Sequence, residues 1–377
     1  MRQSVLFTKT NKESPKDEMS INARILIQAG FIDKLTAGVY TYLPLGLRVI
    51  KKIEQVIREE MNNIGGQEIL MPSLNPRSNW EQTDRWDNFD ALFKLRGVDG
   101  KDYTLAPTHE EVVVPLVQKH VFSYKELPIY VYQIQNKFRN EKRAKSGILR
   151  GREFMMKDMY SFHIDEEDLN RFYKDAQKAY FKIWERCGIL DKTYLTYASG
   201  GTFSKYSHEY QTITPAGEDD ILICEQCDLA INKDIAEELD HKCPNCESKN
   251  LKEEKAIEIA NIFKLGTGFS EPFDYRYIDE VGKKKPVWMG CYGIGLGRVM
   301  GTVAEVCHDD NGLIWPKEIA PHTVHLITIP STNIEANNKI KLAGEKLYKD
   351  LEVNRIDVLF DDREEDTSVG EKFETLI

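Results

Sequence analysis

From Leu47 to Ile64 apolar side chains return every third or fourth position, at Leu47, Ile50, Ile53, Val56, Ile57 and Met61, with charged residues between them. That stripe predicts an amphipathic helix, and Gly65 and Gly66 end it. Ile21 to Ala37 shows the same spacing and is expected to be helical until "GVYTYLPLG" interrupts it with Gly38, Pro44 and Gly46. After the paired glycines, "EILMPSLNP" is a short apolar run ending at Pro72, expected as a strand with proline at its edge or end. "YVYQIQNKF" and "REFMMKDMYSFH" read as strands and predict an antiparallel hairpin around a long polar loop. Glu166 to Cys187 is a further helix, and "DDILICEQC" leads into a cysteine-rich segment. Past His322 the order becomes strand "VHLITIP", helix Ile334 to Leu351, strand "IDVLF" and a third element from Ser368. This is a βαβ unit, so an α/β domain is expected from about residue 321 behind an α+β body. One and a half such units seldom close a core, which suggests a fragment or a naturally shortened chain.

A length of 377 residues suggests two or three domains. With 41% hydrophobic and 30% charged residues, the composition is that of an ordinary globular protein. "MRQSVLFTKTNKESPKDEM" lacks the apolar core of a signal peptide, and no apolar run is long enough to span a bilayer. No membrane association and a cytoplasmic location are therefore expected. A net charge of -10 argues against coating nucleic acid by bulk charge. Against that background "FRNEKRAKSGILRGREF", Phe138 to Phe154, holds six Lys and Arg residues and needs an anionic partner.

Arg139 and Glu141, two apart, share one face if the chain is extended there, and Arg152 and Phe154 share a face of the returning strand. An isolated R-x-E is usually a surface ion pair. Beside a basic, glycine-containing loop the set suits ATP: a guanidinium for phosphate or carboxylate, a carboxylate for the adenine amino group or a metal, a ring to stack the base. In "MGCYGIGLGRVMGTVAEV" the glycines 290, 293, 295 and 297 clear space for a close approach. Leu296, Val299, Met300 and Val303 then line one face of a helix, with Arg298 off that face near the positive end of its dipole. The G-x-G-x-x-G spacing is absent, which disfavours a dinucleotide site. Cys224, Cys227, Cys243 and Cys246 form C-x2-C-x15-C-x2-C, a zinc spacing in an unsecreted chain. His241 is a substitute ligand.

"GVYTYLPLG", the Pro72 run, "LAPTHEEV", "FRNEKRAKSGILRGREFMMKDMYSFH", "SHEYQ" and "GCYGIGLGR" occur in an order that resembles the class II aminoacyl-tRNA synthetases, and within them the bacterial-type prolyl-tRNA synthetases. The resemblance implies an antiparallel catalytic sheet with flanking helices, proline activation by ATP with Mg2+, and transfer to tRNA(Pro) by a homodimer built on the helix up to Ile64 and the Pro72 run. It places Arg139 on the α-phosphate and the amino acid carboxylate, Glu141 on the adenine amino group and Phe154 against the base. Arg298 falls on the γ-phosphate. Arg139 and Arg298 are thus the catalytic pair, and Arg152 joins the ATP set. Thr108 and Glu110 would take the proline ammonium, with Arg139, Met156, Asp158 and Tyr160 completing that pocket. Glu209 and Gln211 are expected near ATP or its Mg2+, while His208 is expected to be structural. No general base is needed, because the substrate carboxylate is already a nucleophile. Two other outcomes share this fold: a noncatalytic tRNA-binding or regulatory protein, and proline activation for a carrier protein.

The family's typical bacterial members carry a long editing insertion, whose flanks resemble "DLAINKDIAEE" and "KAIEIANIFKLG". Here only a short segment with "HKCPNC" separates them, expected as a four-thiolate structural zinc ribbon. Leu296 and Gly297 stand where many relatives have valine and a small hydroxyl residue, the glycine keeping room for ATP. "VGEKFETLI" resembles the middle of the anticodon-binding domain, so strong anticodon reading is not expected. The expected layout is a catalytic body over 1–223 and 251–320, a zinc ribbon over 224–250 and a partial anticodon-binding domain over 321–377.

Overall fold

The computed structural model describes all residues except 11–17, 19, 145, 202, 364–366 and 374–377. Its centre is the expected hairpin, Ile129–Phe138 against Glu153–His163, in register from Ile129 opposite Phe162 to Phe138 opposite Glu153. Trp288–Gly295 pairs antiparallel on the far side of Glu153–His163, and Leu251–Gly266 pairs beyond it. One row across the sheet therefore reads Gln133, Asp158, Gly293, Asn261, and the next on one side Val131, Tyr160, Cys291, Phe263. Side chains in a row share a face, so the register decides which groups of distant sequence meet.

The nine-stranded sheet continues through Asp219–Cys224, Ala230–Asn232, Thr193–Ser199 and Tyr206–Ile213, while Gln67–Glu68 adds in parallel at the other edge. Because Tyr206–Ile213 also pairs with Leu251–Gly266, those two strands and the three between them close into a ring.

One sheet face is dry. Val49, Ile53, Ile57 and Met61 of helix Pro44–Asn63 pack there with Tyr180 and Trp184 of helix Glu166–Arg186 and Val299 and Met300 of helix Leu296–Val306. Burying such side chains contributes roughly 1.5 to 3 kcal/mol each, enough to fix the sheet, and the opposite face carries a second apolar cluster with Val131, Tyr160, Phe162 and Cys291 beside the polar row of Gln133 and Asp158.

Two expectations change. The helix from Ile21 stops at Gln28, and Ile32–Thr36 pairs with Val39–Tyr42 as a hairpin. Gly30 and Gly38 adopt φ of 72° and 75°, conformations that break the helix and turn the hairpin. Helical spacing across a break of one glycine looks like a single helix. In "EILMPSLNP" only Glu68 belongs to the two-residue strand Gln67–Glu68, and Leu74–Pro76 starts a separate three-stranded sheet with Asp102–Leu105 and Phe93–Arg96. Pro72 has no N–H for a ladder, and Gln133 and Gln135 side chains take the Met71 backbone groups at 2.9 and 2.5 Å instead.

The final unit has the expected βαβ form, with Val324–Ile327 and Val358–Asp361 parallel and helix Ile334–Val353 between them. The chain's own start docks on it. The Met1 ammonium donates to the Val358 carbonyl at 2.8 Å, and Arg2 reaches Glu345 at 2.7 Å and Asp362 at 3.0 Å. No helix among the described residues is long and apolar enough to cross a membrane.

Candidate active site

The hairpin and the glycine-rich strand border a cleft of about 640 Å3, open mouth included, lined by Arg139, Glu141, Phe154, Met156, Glu258 and Arg298 among others. Gly293 and Gly295 form part of its floor. A Cβ on Gly293 would approach Asn261 Oδ1 to 3.1 Å, so the glycine leaves the floor low. Gly297 serves a different neighbour, since a Cβ there would meet the Tyr42 hydroxyl at 2.4 Å.

Each cation in the cleft has a different state. Arg298 donates to the Leu149 carbonyl and to Glu258 Oε2, both at 2.9 Å. Arg150, which the sequence reading passed over, donates to Glu141 at 3.0 Å. Arg139 makes no ion pair among the described residues; its closest acceptor is the Pro107 carbonyl at 3.5 Å, and its guanidinium lies 5.2 Å from the Phe154 ring centroid. Burial and then Arg298 push the Arg139 pKa down, the direction expected of a buried cation lacking a counter-charge. Arg152 is turned away from this set, donating to the Glu141 and Ala37 carbonyls at 3.1 and 3.0 Å, where it ties the loop to the Gly38 turn. Lys145, the loop lysine of the basic stretch, lies outside the described residues.

Glu258 is a cleft residue that sequence reasoning missed, because "KAIEIANIFKLG" was legible only as a flank. It accepts from Asn261 at 2.9 Å and lies opposite Gln211 on the neighbouring strand. Gln211 donates to Glu209 at 2.9 Å and to Asp219 at 2.8 Å. Glu209 and Gln211 thus stand behind Glu258 rather than in the cleft wall. Burial, then the Glu258 charge, push the Glu209 carboxyl up to about 8, so three acids crowd a region that attracts a cation. His208 meets the Tyr173 hydroxyl at 3.0 Å.

Beyond Arg139 a second, buried polar pocket begins. Thr108 donates to Glu110 at 2.6 Å, the Cys291 thiol to the other Glu110 oxygen at 3.3 Å, and the Tyr160 hydroxyl lies 3.4 Å from Thr108. Asp158 sits beneath them in a closed network, with Lys137 at 2.7 Å and Gln133 and Tyr160 at 3.0 Å. His109 Nδ1 is 2.7 Å from Lys137 Nζ. Burial and the Lys137 charge push His109 down to about 4, leaving a neutral ring near pH 7. Met156 joins the cleft wall, whereas Asp158 and Tyr160 brace the pocket from below. Lys137 was unreadable as a site residue because an ordinary strand of alternating polar residues contains it.

The four cysteine sulfurs lie within 4.8 Å of one another, with Cys224 to Cys246 and Cys227 to Cys243 at 3.5 Å. Both C-x2-C turns close alike. Asp228 N–H donates to the Cys224 carbonyl at 3.0 Å and Glu247 N–H to the Cys243 carbonyl at 2.8 Å, with Asp228 and Glu247 at positive φ. Four thiolates on paired turns suit a tetrahedral zinc ion with no open position. His241 does not belong to this group.

A family model described as the tRNA synthetase class II core domain (G, H, P, S and T) matches residues 93–307. The proline--tRNA ligase of Thermotoga maritima is 33% identical over 522 residues, covering 99% of this chain and 89% of that protein. Those of Moorella thermoacetica and Bacillus licheniformis are 30% and 31% identical over 515 and 519 residues, covering 97% and 98% of this chain and 89% and 90% of theirs. These alignments exceed the 377 residues available, so each relative carries many residues without a counterpart here. Among solved structures, Giardia lamblia prolyl-tRNA synthetase in complex with prolyl-adenylate superposes with a TM-score of 0.76 at 22% identity, covering 93% of this chain and 66% of that one. The Cryptosporidium parvum enzyme complexed with L-proline and AMP gives 0.72 at 18%, covering 94% and 64%.

Proposed function

Since the chain belongs to the class II tRNA synthetases, in the branch of the proline--tRNA ligases, we propose that it activates L-proline with ATP and transfers the prolyl group to tRNA(Pro). The observation that carries this assignment is Arg139, a half-buried guanidinium with no ion-pair partner among the described residues, standing between the open cleft and the buried carboxylate of Glu110.

In the proposed step a proline carboxylate oxygen attacks the α-phosphorus. The new O–P bond forms as the bond to the β-phosphate oxygen breaks, and pyrophosphate leaves. Arg139 holds the carboxylate and the α-phosphate together and offsets the charge that builds on the phosphoryl oxygens. Phe154 stacks the adenine, Glu141 accepts from its amino group, and Arg298 takes the γ-phosphate at the N-terminus of its helix. Thr108 and Glu110 receive the secondary ammonium, and Met156 packs on the ring. Glu258, backed by Glu209 and Gln211, would hold Mg2+, whose charge would offset that of the phosphates. Asp158 and Tyr160 keep Thr108 and the His109 backbone in place.

The same proposal includes structural Zn2+ on Cys224, Cys227, Cys243 and Cys246, a homodimer through the helix ending near Ile64, and the chain layout with breaks near 223, 250 and 320. Incubation with labelled proline, ATP and a tRNA(Pro) transcript is expected to give acid-precipitable prolyl-tRNA. Adenylate formation without charging would favour a carrier-protein acceptor, and tRNA binding without adenylate would favour a noncatalytic role.

A further inference from the structure

Helix Glu110–Gln118 opens with two consecutive carboxylates, Glu110 and Glu111, whose side chains are 1% and 0% exposed. Two buried anions on one turn need compensation. Among the described residues only Arg85 forms an ion pair with either of them, at 2.7 Å from Glu111 and 3.4 Å from Glu110. Its guanidinium carbon lies 4.6 to 5.4 Å from the ring centroids of Trp80, Phe89, Phe203 and Phe269. That aromatic box fixes where the charge sits, favouring Glu111 over Glu110.

We propose that Arg85 is a positioning residue for amine recognition: it neutralises Glu111 and leaves Glu110 with one negative charge that a cationic substrate amine completes. This rests on the assignment of Glu110 to the proline ammonium. The other groups facing Glu110 are consistent with it. Thr108 and Cys291 donate as neutral groups, while Lys137 is paired with Asp158 and Arg139 faces the cleft. Glu111 faces Arg85, the Thr83 hydroxyl at 3.0 Å and Glu110 itself. Neutral isosteres of proline, with oxygen or carbon at the ring nitrogen, are excluded because they leave Glu110 buried and uncompensated.

The pair also sets a pH dependence. Burial, opposed by Arg85 and aided by Glu110, pushes the Glu111 carboxyl up to about 7. Protonating Glu111 below that pH frees Arg85 to compensate Glu110, so KM for proline should rise on acidification through about pH 7 while KM for ATP does not follow.

The test is steady-state exchange kinetics on the full chain against pH. Glu111→Gln, with Arg85 left to pair with Glu110, should raise KM for proline about 10- to 100-fold, the range of a charged hydrogen bond, and should abolish the step near pH 7. The double variant Arg85→Met with Glu111→Gln should return KM toward wild type, a rescue that a packing role for Arg85 does not produce. Wild-type KM and pH profile in Glu111→Gln, or a double variant no better than Glu111→Gln alone, would overturn the proposal. Glu110→Gln serves as the separate control: unchanged proline KM there removes the underlying amine assignment, whatever Arg85 does.

Discussion

Arg139 is the side chain at which a single truncation should cost most, because the proposed function sets its charge between both substrates and no other cation of the cleft is without an ion pair among the described residues. Arg139→Ala should lower proline-dependent pyrophosphate exchange by roughly 10^3-fold, as expected for loss of a preorganised charge stabiliser. Lys145→Ala should leave most of the exchange, and equal losses would refute the division of the basic loop. Asp158→Asn leaves Lys137 buried with its main counter-charge removed, so thermal unfolding should show about 3 to 5 kcal/mol of destabilisation; an unchanged Tm would contradict the network. Residues in short motifs were legible: Arg139, Glu141, Phe154 and Arg298 all line the cleft. Arg85, Lys137 and Glu258 were not. In "QTDRWDNF" an arginine among polar residues reads as surface charge, and only the tertiary approach of four rings shows that it is buried.

Elements with long, uniform patterns followed their sequence. The amphipathic stripe became helix Pro44–Asn63, and the two alternating runs became the central hairpin, because period and burial agree there over many residues. The failures were short. One glycine divided Ile21–Gln28 from the hairpin after it, and a proline without an N–H moved "EILMPSLNP" out of the ladder. The cysteine segment shares only a small apolar cluster, Leu222, Ile231, Ile235 and Ala236, so its order should depend on metal. Elemental analysis is expected to find one zinc per chain. Chelation or Cys224→Ser should lower the Tm, and a metal-free chain of unchanged Tm would sink the ribbon.

Across the whole molecule, sheet register brings together what the chain separates. Residues 133–138, 153–158, 258–261 and 291–295 meet because their strands are neighbours, residues 108–111 join them through Tyr160 and Cys291, and that adjacency has no local signature. The order of motifs supplied it through family resemblance. A chain with only the cysteine segment between the two flanks is expected to leave alanyl-tRNA(Pro) intact; rapid deacylation would contradict that. The central claim concerns joint occupation of cleft and pocket, and pyrophosphate exchange into ATP by the purified, zinc-replete chain measures it most directly. Exchange that requires L-proline and saturates with it is the predicted result, and its absence in a folded, zinc-replete sample is the result that contradicts the account.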